Sequence, residues 1–462
     1  MIRPLSLGEI GRAIGAAVPD ACAGVQVAGI STDSRTVSSG ELFVALRGER
    51  FDAHDHVVEA ERHGAVALVC SRAVPTSVPA LHVPDTELAL GAIGALHRSL
   101  FTGSVVALTG SAGKTTTKEM IAAILGTAGP VLATRGNLNN EIGVPLTLFR
   151  LEQSHRYAVI EMGAGKPGDI AYLAGIASPQ VALLTNALPA HLERLGSLEE
   201  VARTKGAIFE ALPRDGVAVL NADDDFAGYW AELVGQRRML RFSASGSPAA
   251  DVRASNVRLL DGCAEFLLEL PGESRHIHLA IPGVQQVANA LAAAAVGHAL
   301  GLRAREMADA LAGIEAPAGR MQRRRGDGGA LLIDDTYNAN PGSVRAAIDT
   351  LAGFGGLRVL VLGNMAELGA DAAALHRSTG QHARQQGINR LFATGPNAIH
   401  LAEGFGCEAQ VYGSREELAG ALLGCDTPES VILVKGSRSA GMEAVIDALT
   451  LKTPGHARTG TH

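Results

Sequence analysis

A glycine-rich turn between an apolar run and a helical stretch is the segment of this chain best suited to chemistry. It reads TGSAGKTT over residues 109–116. Glycine permits backbone turns that a side chain would obstruct, so successive N–H groups can converge on an anion at a helix N-terminus. Lys114 would place an ammonium against nucleotide phosphates, and the hydroxyl of Thr115 would complete the shell of a Mg²⁺ ion. The residues expected to line this phosphate loop are Gly110, Ser111, Ala112, Gly113, Lys114, Thr115 and Thr116. The match to the usual pattern is incomplete, because Leu108 stands where that pattern has glycine.

Three further polar residues fall where an open parallel sheet presents its ligands. Glu161 ends the strand-like YAVIE, His191 follows VALLTNALPA, and Lys205 lies in the helical SLEEVARTKGAIFEAL. A strand-end carboxylate beside a phosphate loop suits Mg²⁺, which prefers oxygen and needs few protein groups. An isolated histidine is more often a loop residue than a metal ligand, and a helical lysine usually points into water. From residue types alone, the roles of His191 and Lys205 stay open.

Other polar segments could bind ligands or could be ordinary loops. The STDSR segment, residues 31–35, has the hydroxyls, acid and guanidinium that can hold a diphosphate or a sugar, although polar loops are usually solvated. The asparagines of GNLNN, residues 136–140, offer amides to a ligand but also favour turns. Asp334 and Asp335 end a strand and could bind ribose hydroxyls or cap a helix.

The elements that would position these residues alternate between strands and helices. This rhythm predicts an α/β chain with a mostly parallel central sheet covered on both faces. Residues 1–83 form a small α/β unit, residues 84–313 the doubly wound unit that carries the phosphate loop, and residues 314–453 a third, Rossmann-like unit. The segment 251–281 is expected to add an antiparallel hairpin at a sheet edge. The last residues, 454–462, are expected to form a frayed tail.

Composition excludes several functions. The chain has 462 residues, of which 47% are hydrophobic and 19% charged, so it is globular and long enough for roughly three domains. A net charge of −7 disfavours nucleic acid, and the short arginine cluster at 320–325 has no interleaved aromatic residues. The five cysteines lack C-x-x-C spacing, which indicates neither a disulfide framework nor a zinc site.

Location is predicted from the apolar segments. The N-terminus lacks the continuous apolar core of a signal peptide, and the long apolar stretch at 287–302 is alanine-rich and contains Asn289 and His298. We therefore expect no membrane span and a reducing cytoplasm as the location. We expect a monomer.

Several motifs, taken in order, resemble the Mur ligase family over nearly the whole chain. In the first unit they are STDSR and ELFVALRGERFDAHDHV; in the second, TGSAGKTTTKE, GNLNNEIGVPLTL, VIEMGAGKPGDI, LTNALPAHLERLGSLEEVARTKGAIF and VQQVANALAAAA; in the third, AGRMQ, DDTYNANP, VLGNMAELG and VKGSR. Each motif alone is weak, whereas their order and spacing together are highly specific. Within the family, the pattern is most similar to the ligases that add D-alanyl-D-alanine.

The resemblance implies an ATP-dependent amide ligase of three domains that acts in peptidoglycan precursor synthesis. Such an enzyme joins D-alanyl-D-alanine to UDP-N-acetylmuramoyl tripeptide, and its tripeptide carboxylate first takes the γ-phosphoryl group to form an acyl phosphate. The dipeptide amine then displaces phosphate through a tetrahedral intermediate. A carboxylate that approaches a triphosphate is repelled by its like charge. The reaction therefore needs cations and correctly positioned reactants, and the phosphate loop would supply both.

The same resemblance implies roles for the catalytic residues. Lys114 and two Mg²⁺ ions would supply the positive charge, with Thr115 and Glu161 holding the nucleotide Mg²⁺. His191 would hold the second ion near the acceptor carboxylate. Lys205 matches the family lysine that can be carbamylated, which would turn an ammonium into an anionic oxygen ligand.

Binding roles follow in the same way. Asn289 would lie near the adenine, Arg320 would reach the phosphates from the third unit, and Asp335 would contact the ribose. The uridine diphosphate would be held by Ser31, Asp33, Ser34 and Arg35, the muramoyl peptide by Asn137, Asn139 and Asn140, and the dipeptide by Lys435 and Arg438 together with Asn338 and Asn340. Which of Asn338, Asn340 and Arg438 touches the dipeptide is left open.

Three alternatives remain. The Mur ligase that adds the third amino acid shares the STDSR and LFVAL patterns, but its Asp-Asn-Pro-Arg acceptor motif is absent here. Folylpolyglutamate synthetase shares the ATP machinery but lacks the uridine-domain pattern. The third alternative is a regulatory nucleotide-binding switch. Against it stand Glu161, His191 and Lys205 around one loop, which are more functional residues than a switch needs. We also expect open and closed arrangements with hinges near residues 84 and 314. The third residue of the tripeptide, diaminopimelate or lysine, is not predicted.

Overall fold

The computed structural model describes residues 1–48, 50–189 and 192–450 of the chain. Within these ranges, strands form a small sheet near the N-terminus, a large central sheet and a third sheet in the C-terminal part, with one short additional strand pair. All three sheets are predominantly parallel, as the alternating pattern predicts. The predicted tail at 454–462 lies outside the described residues, and the predicted domain limits stay predictions.

The first unit is a parallel sheet with strand order β3-β4-β5-β6. The strands of this sheet are β3 (Gly29–Ser31), β4 (Glu41–Val44), β5 (Ala67–Cys70) and β6 (Ala80–His82). A separate short antiparallel pair consists of β1 (Leu5–Ser6) and β2 (Gln26–Val27). The helices of the unit are α1 (Leu7–Ile14), α2 (Val57–His63) and α3 (Thr86–Ser99). Every residue of β5 is buried, as is typical of a parallel strand covered on both faces. Helix α1 begins with a capping box in which Ser6 and Glu9 satisfy each other's main-chain N–H groups.

The central sheet has the order β15-β14-β13-β12-β11-β10-β7-β9-β8. Its strands are β7 (Ser104–Thr109), β8 (Val131–Ala133), β9 (Tyr157–Glu161), β10 (Val181–Leu184), β11 (Val217–Asn221), β12 (Arg238–Ser243), β13 (Val252–Leu260), β14 (Cys263–Leu270) and β15 (Glu273–Pro282). The strands from β8 to β13 are parallel, and β13, β14 and β15 form an antiparallel edge. The predicted edge hairpin is confirmed as β14 and β15. Strand β13 lies in the predicted segment 251–281 but was not identified as a separate strand; its last five residues are exposed.

Helices cover the central sheet on both faces, so the predicted double winding is confirmed. They are α4 (Lys114–Gly126), α5 (Gly143–Leu148), α6 (Asp169–Ala177), α7 (Leu192–Leu195), α8 (Leu198–Gly206), α9 (Ala227–Val234), α10 (Gln285–Ala299) and α11 (Ala304–Ala312). Alternate residues of strand β7 face opposite sides of the sheet. Val106 and Leu108 pack in a core with α4 and α10, whereas Val105 and Ala107 pack in a separate core with α6, α8 and α9.

The third unit is a sheet of order β16-β17-β21-β18-β19-β20, parallel except for β16 at its edge. The strands are β16 (Gln322–Arg325), β17 (Leu331–Asp335), β18 (Leu357–Leu362), β19 (Arg390–Thr394), β20 (Ala409–Tyr412) and β21 (Ser430–Lys435), and the helices are α12 (Pro341–Ala352), α13 (Ala372–Gln385), α14 (Ala398–Phe405), α15 (Arg415–Leu422) and α16 (Glu443–Leu449). No helix in the described ranges is both long and apolar enough to span a membrane.

The turn between β13 and β14 contacts the third unit. Asp261 and Gly262 have left-handed backbone angles, φ 47° and 74°, as a tight turn between antiparallel strands requires. The Arg323 guanidinium donates to the main-chain oxygen of Asp261 and lies 5.8 Å from the ring centroid of Phe354. The Phe354 ring packs against Gly262, where any Cβ would collide with it. The edge of the central sheet therefore carries part of the interface between the second and third units.

Candidate active site

The phosphate loop joins the carboxyl end of β7 to the first turn of α4, at the place that open α/β sheets use for ligands. Gly113 has φ 79° and faces the side-chain amide of Asn289, and Gly110 has φ 156° and touches the hydroxyl of Thr185. Both positions exclude a Cβ for reasons of space. Helix α4 makes its first helical bond with the N–H of Thr117, so the N–H groups of residues 114–116 lack helical acceptors and can meet an anion.

Asn186 clasps the loop and was not predicted from the sequence. Its main-chain oxygen accepts from the N–H of Ser111 at 3.0 Å, and its Oδ1 accepts from the N–H of Ala112 at 2.9 Å. The Ser111 hydroxyl in turn exchanges hydrogen bonds with the main chain of Leu188. Two of the amides that we expected to face the anion are therefore bonded to Asn186. The only sequence signal is a polar pair, Thr185 and Asn186, directly after β10.

Lys114 lies at the start of α4 with its ammonium folded back over the loop. Its Nζ donates to the main-chain oxygen of Gly110 at 2.7 Å. Burial lowers the pKa of Lys114 below its usual value; the Glu161 carboxylate opposes this shift and the Arg320 guanidinium reinforces it. A desolvated ammonium gains most from an anionic ligand, so this geometry suits a phosphate contact.

Glu161 is held by three hydrogen bonds at the end of β9, and it is only 2% exposed. Thr115 Oγ1 donates to Oε2 at 2.8 Å, Asn139 Nδ2 donates to Oε1 at 2.9 Å, and the N–H of Glu161 donates to Thr134 Oγ1 at 2.9 Å. The structure thus brings together two residues predicted as Mg²⁺ ligands and one predicted to hold the peptide. A carboxylate and a hydroxyl in contact fit Mg²⁺, which takes its remaining oxygens from water and phosphate.

Lys205 is buried in α8, with 2% of its surface exposed. The expectation that a helical lysine points into water therefore does not hold at this position. Burial lowers the pKa of Lys205 well below its usual value, and the positive charge of Lys114 adds to the shift. His191, the other expected ligand of a second ion, lies outside the described residues.

The predicted nucleotide residues have partners within the protein. Asn289 Oδ1 accepts from the hydroxyl of Thr117 at 3.2 Å and also faces Gly113, so Asn289 lies against both the loop and the first turn of α4. The Arg320 guanidinium stacks on Tyr337, 4.0 Å from the ring centroid. Asp335 pairs with Lys435 at 2.6 Å. Arg320 and Asp335 belong to the third unit, and the charge of Arg320 shifts the pKa of both Lys114 and Asp335.

The residues predicted to bind the dipeptide are engaged in several contacts. Lys435 also donates to the main-chain oxygen of Asn338 at 2.8 Å, and the Asn338 side chain accepts from the N–H of Ala339. Asn340 caps α12 by accepting from the N–H of Ser343 at 2.9 Å. Arg438 forms an exposed ion pair with Glu443 at 3.0 Å. Arg438 is available to a ligand because 67% of its side chain is exposed, and Asn338 is exposed as well.

The STDSR segment begins with Ser31, the last residue of β3, and continues beyond the carboxyl end of that strand. The Arg35 guanidinium forms two hydrogen bonds with Asp33, at 2.9 and 2.7 Å, and these bonds lower the pKa of Asp33 to about 2. Ser34 donates to Glu59 at 2.6 Å, and Ser31 bonds the main chain of Asp33. The segment is a self-bonded loop whose guanidinium remains largely exposed.

The remaining asparagines of the 136–140 segment differ in their environments. Asn137 is exposed, and its main-chain oxygen accepts from the N–H of Asn139 at 2.7 Å. Asn140 is exposed as well, and its side chain accepts from the N–H of Gly143 at the start of α5. Asn139 therefore bonds Glu161, whereas Asn137 and Asn140 are exposed beside it.

These features define a phosphate-loop enzyme built on parallel sheets, and comparison with known proteins defines its family. Three family models match successive parts of the chain: the Mur ligase family catalytic domain over residues 26–97, the Mur ligase middle domain over 108–297, and the Mur ligase glutamate ligase domain over 319–438. The UDP-N-acetylmuramoyl-tripeptide--D-alanyl-D-alanine ligase of Escherichia coli strain K12 is 44% identical over 424 residues, which is 91% of this chain and 93% of the relative.

Solved structures agree with this match. MurF from Acinetobacter baumannii has a TM-score of 0.90 and 35% identity, covering 96% of this chain and 98% of that one. MurF ligase from Thermotoga maritima, in complex with ADP, has a TM-score of 0.82 and 30% identity, covering 91% and 96%. The chain belongs to the Mur ligase family, and the resemblance seen in the sequence is confirmed.

Proposed function

We propose that this chain joins D-alanyl-D-alanine to UDP-N-acetylmuramoyl tripeptide with hydrolysis of ATP to ADP and phosphate. The observation that carries this proposal is the 44% identity, over 91% of the chain, to a relative with that name. The bonded pair of Thr115 and Glu161 beside Lys114 supports the ATP chemistry. The relatives named for this activity also favour it over addition of a single amino acid. We assign the reaction to cytoplasmic peptidoglycan precursor synthesis, because its substrate is a nucleotide-linked precursor.

The first step requires two anions to meet. The tripeptide carboxylate attacks the γ-phosphorus of ATP, the bond to the β-phosphate oxygen breaks, and ADP leaves. Lys114 opposes the charge repulsion, and Arg320 adds positive charge from the third unit. Thr115 and Glu161 would hold the nucleotide Mg²⁺, which when bound neutralises phosphate charge. Asn289, Arg320 and Asp335 are proposed to place the nucleotide.

The second step forms the amide bond. The neutral amine of D-alanyl-D-alanine attacks the acyl carbon and a tetrahedral intermediate forms. The nitrogen then loses a proton, which the departing phosphate takes up, and phosphate leaves as its C–O bond breaks. We propose that Arg438 receives the dipeptide carboxylate, since its guanidinium is exposed and bidentate contacts suit a carboxylate. Lys435 contributes by orienting Asp335 and Asn338.

A second cation site is proposed around His191 and Lys205. Carbamylation of Lys205 requires its neutral amine, which attacks CO₂ and releases a proton to give an anionic carbamate. The lowering of the Lys205 pKa by burial increases the share of that neutral amine. The carbamate would then be balanced by the charge of Lys114 and of the bound cation.

One assay tests the proposal. Pure protein, Mg²⁺, ATP, UDP-muramoyl tripeptide and D-alanyl-D-alanine are mixed, and phosphate release and the ligated product are measured. Omission of the dipeptide should abolish net turnover. A protein that releases phosphate only with a muramoyl dipeptide and a free diamino acid would add the third residue instead, and a nucleotide switch would respond to neither substrate. Comparison of tripeptides ending in diaminopimelate and in lysine identifies the natural acceptor.

A further inference from the structure

Lys118 is a buried lysine that neither the phosphate-loop pattern nor the proposed chemistry explains. It lies one turn after Lys114 on α4 and is 1% exposed. Its Nζ donates to the main-chain oxygen of Thr134 at 2.6 Å and lies 2.7 Å from Oε1 of Glu119. A desolvated ammonium is costly unless it is bonded and paired, so this side chain ties α4 firmly to the residue at the end of β8.

Thr134 connects Lys118 to the candidate metal carboxylate. It follows β8 directly, and its own N–H donates to the main-chain oxygen of Val159 at 3.0 Å. Its hydroxyl accepts from the N–H of Glu161 at 2.9 Å. Thr134 is therefore bonded to α4 on one side and to β9 on the other, and with the pairing of β9 to β7 it holds the main chain of Glu161 in place.

The loop that starts at Thr134 returns to the same carboxylate. Asn139 holds Oε1 of Glu161, while Thr115, on α4, holds Oε2. Both oxygens are thus oriented by groups whose positions depend on α4, either directly or through the bond from Lys118 to Thr134. Movement of Thr134 away from α4 would turn the carboxylate and shift the asparagines of the 136–140 segment together.

We propose that Lys118 is a positioning residue that holds Thr134 against α4 and so fixes Glu161 in the geometry that takes a divalent cation. The proposal rests on the proposed role of Thr115 and Glu161 in holding Mg²⁺. Among the described residues, Lys118 bonds neither of those side chains, so its removal loosens the cation site without deleting a ligand. Loss of such an outer partner typically lowers metal affinity by about 10- to 100-fold.

The test compares Lys118→Met with Glu119→Gln. The first removes the bond to Thr134 and keeps much of the side-chain volume; the second removes the ion pair and leaves that bond. Mn²⁺ is titrated into each full-length protein saturated with a non-hydrolysable ATP analogue, and bound Mn²⁺ is measured by electron paramagnetic resonance. We expect the Mn²⁺ dissociation constant to rise by about 10- to 100-fold in Lys118→Met and to stay close to wild type in Glu119→Gln.

Thr134→Val is a second, independent measure, because it removes the hydroxyl that accepts from Glu161. It should weaken Mn²⁺ binding in the same direction, and the double variant should lose less than the sum of the single losses, since both changes act on one network. Wild-type Mn²⁺ affinity in folded Lys118→Met overturns the proposal; if that variant does not fold, wild-type affinity in Thr134→Val overturns it. Wild-type protein that binds no Mn²⁺ with nucleotide contradicts the proposed function instead.

Discussion

The Nζ of Lys435 lies 2.6 Å from Oδ2 of Asp335, and the two residues are direct partners on the parallel strands β21 and β17. Burial raises the pKa of Asp335, and Lys435 opposes that shift. Each side chain therefore stabilises the ionised form of the other inside the third unit. A residue predicted to hold a ligand carboxylate thus holds a carboxylate of its own chain.

Lys435→Met should destabilise the third unit, because it leaves the Asp335 carboxylate buried without its cation. Only 4% and 13% of the two side chains are exposed. We expect a loss of about 3 kcal/mol in the free energy of unfolding, measured by urea denaturation. The matched control is Arg377→Met, which breaks the half-exposed pair with Glu403 and should cost at most about 1 kcal/mol. Equal losses in the two variants would contradict a structural role for Lys435.

Lys114→Met should separate activity from stability. The change relieves the desolvation cost of the ammonium but also removes its favourable charge interaction with Glu161, so the melting temperature should change little. Phosphate release should fall by at least about 100-fold, because the developing phosphoryl charge loses its partner. Lys166→Met, at an exposed lysine, serves as the control and should leave both quantities unchanged. Unaltered turnover in Lys114→Met would contradict the proposed role of the phosphate loop in binding ATP.

Stability should fall in mild acid because of His97. This residue is fully buried, accepts from the N–H of Ile2 and bonds the main-chain oxygen of Leu148. Burial lowers the pKa of His97 to about 4 from 6.5. The unfolded chain therefore binds the proton first as pH falls from 6.5 to 4, and the folded state loses up to about 3 kcal/mol over that window.

Urea denaturation at several pH values tests this prediction, with His97→Gln as the comparison. The variant keeps hydrogen-bonding capacity but does not titrate, so its stability should depend less on pH between 6.5 and 4. Parallel pH profiles of the two proteins would rule out His97 as the source of the effect.

Lys205 should make activity depend on carbon dioxide. Wild-type enzyme in CO₂-free buffer should lose turnover and regain it on addition of bicarbonate, because the amine must re-form its carbamate. Lys205→Ala should have low activity at every bicarbonate concentration. A bare amine by mass analysis of active enzyme, together with full turnover in Lys205→Ala, would show that the carbamate has no role.

The family and the architecture could be predicted because their signals are local. The strand-end position of Glu161 follows from the apolar run before it, and the double winding follows from alternating segments. Contacts between distant parts of the chain could not be predicted in this way. Asn186 clasps Ala112, and Lys118 bonds Thr134, but no spacing in the sequence indicates either pair.

Residue type alone also cannot show which partner a charged group will have. Lys435 suits a ligand carboxylate, yet the strand register places Asp335 beside it. Asn340 could meet a peptide, yet its main-chain geometry makes it the cap of α12. The individual site assignments and the domain limits remain predictions that the proposed variants can test.

The contact of Arg323 and Phe354 with the β13–β14 turn has a mechanical consequence. If the third unit moves relative to the second as predicted, this contact and the connection at 313–318 together would define the axis of that movement. Insertion of a few glycines into the connection at 313–318 should then change the direction of that movement very little. A bulkier residue at Gly262 would collide with Phe354 and should therefore displace Arg320, which belongs to the third unit, from its proposed place at the ATP phosphates.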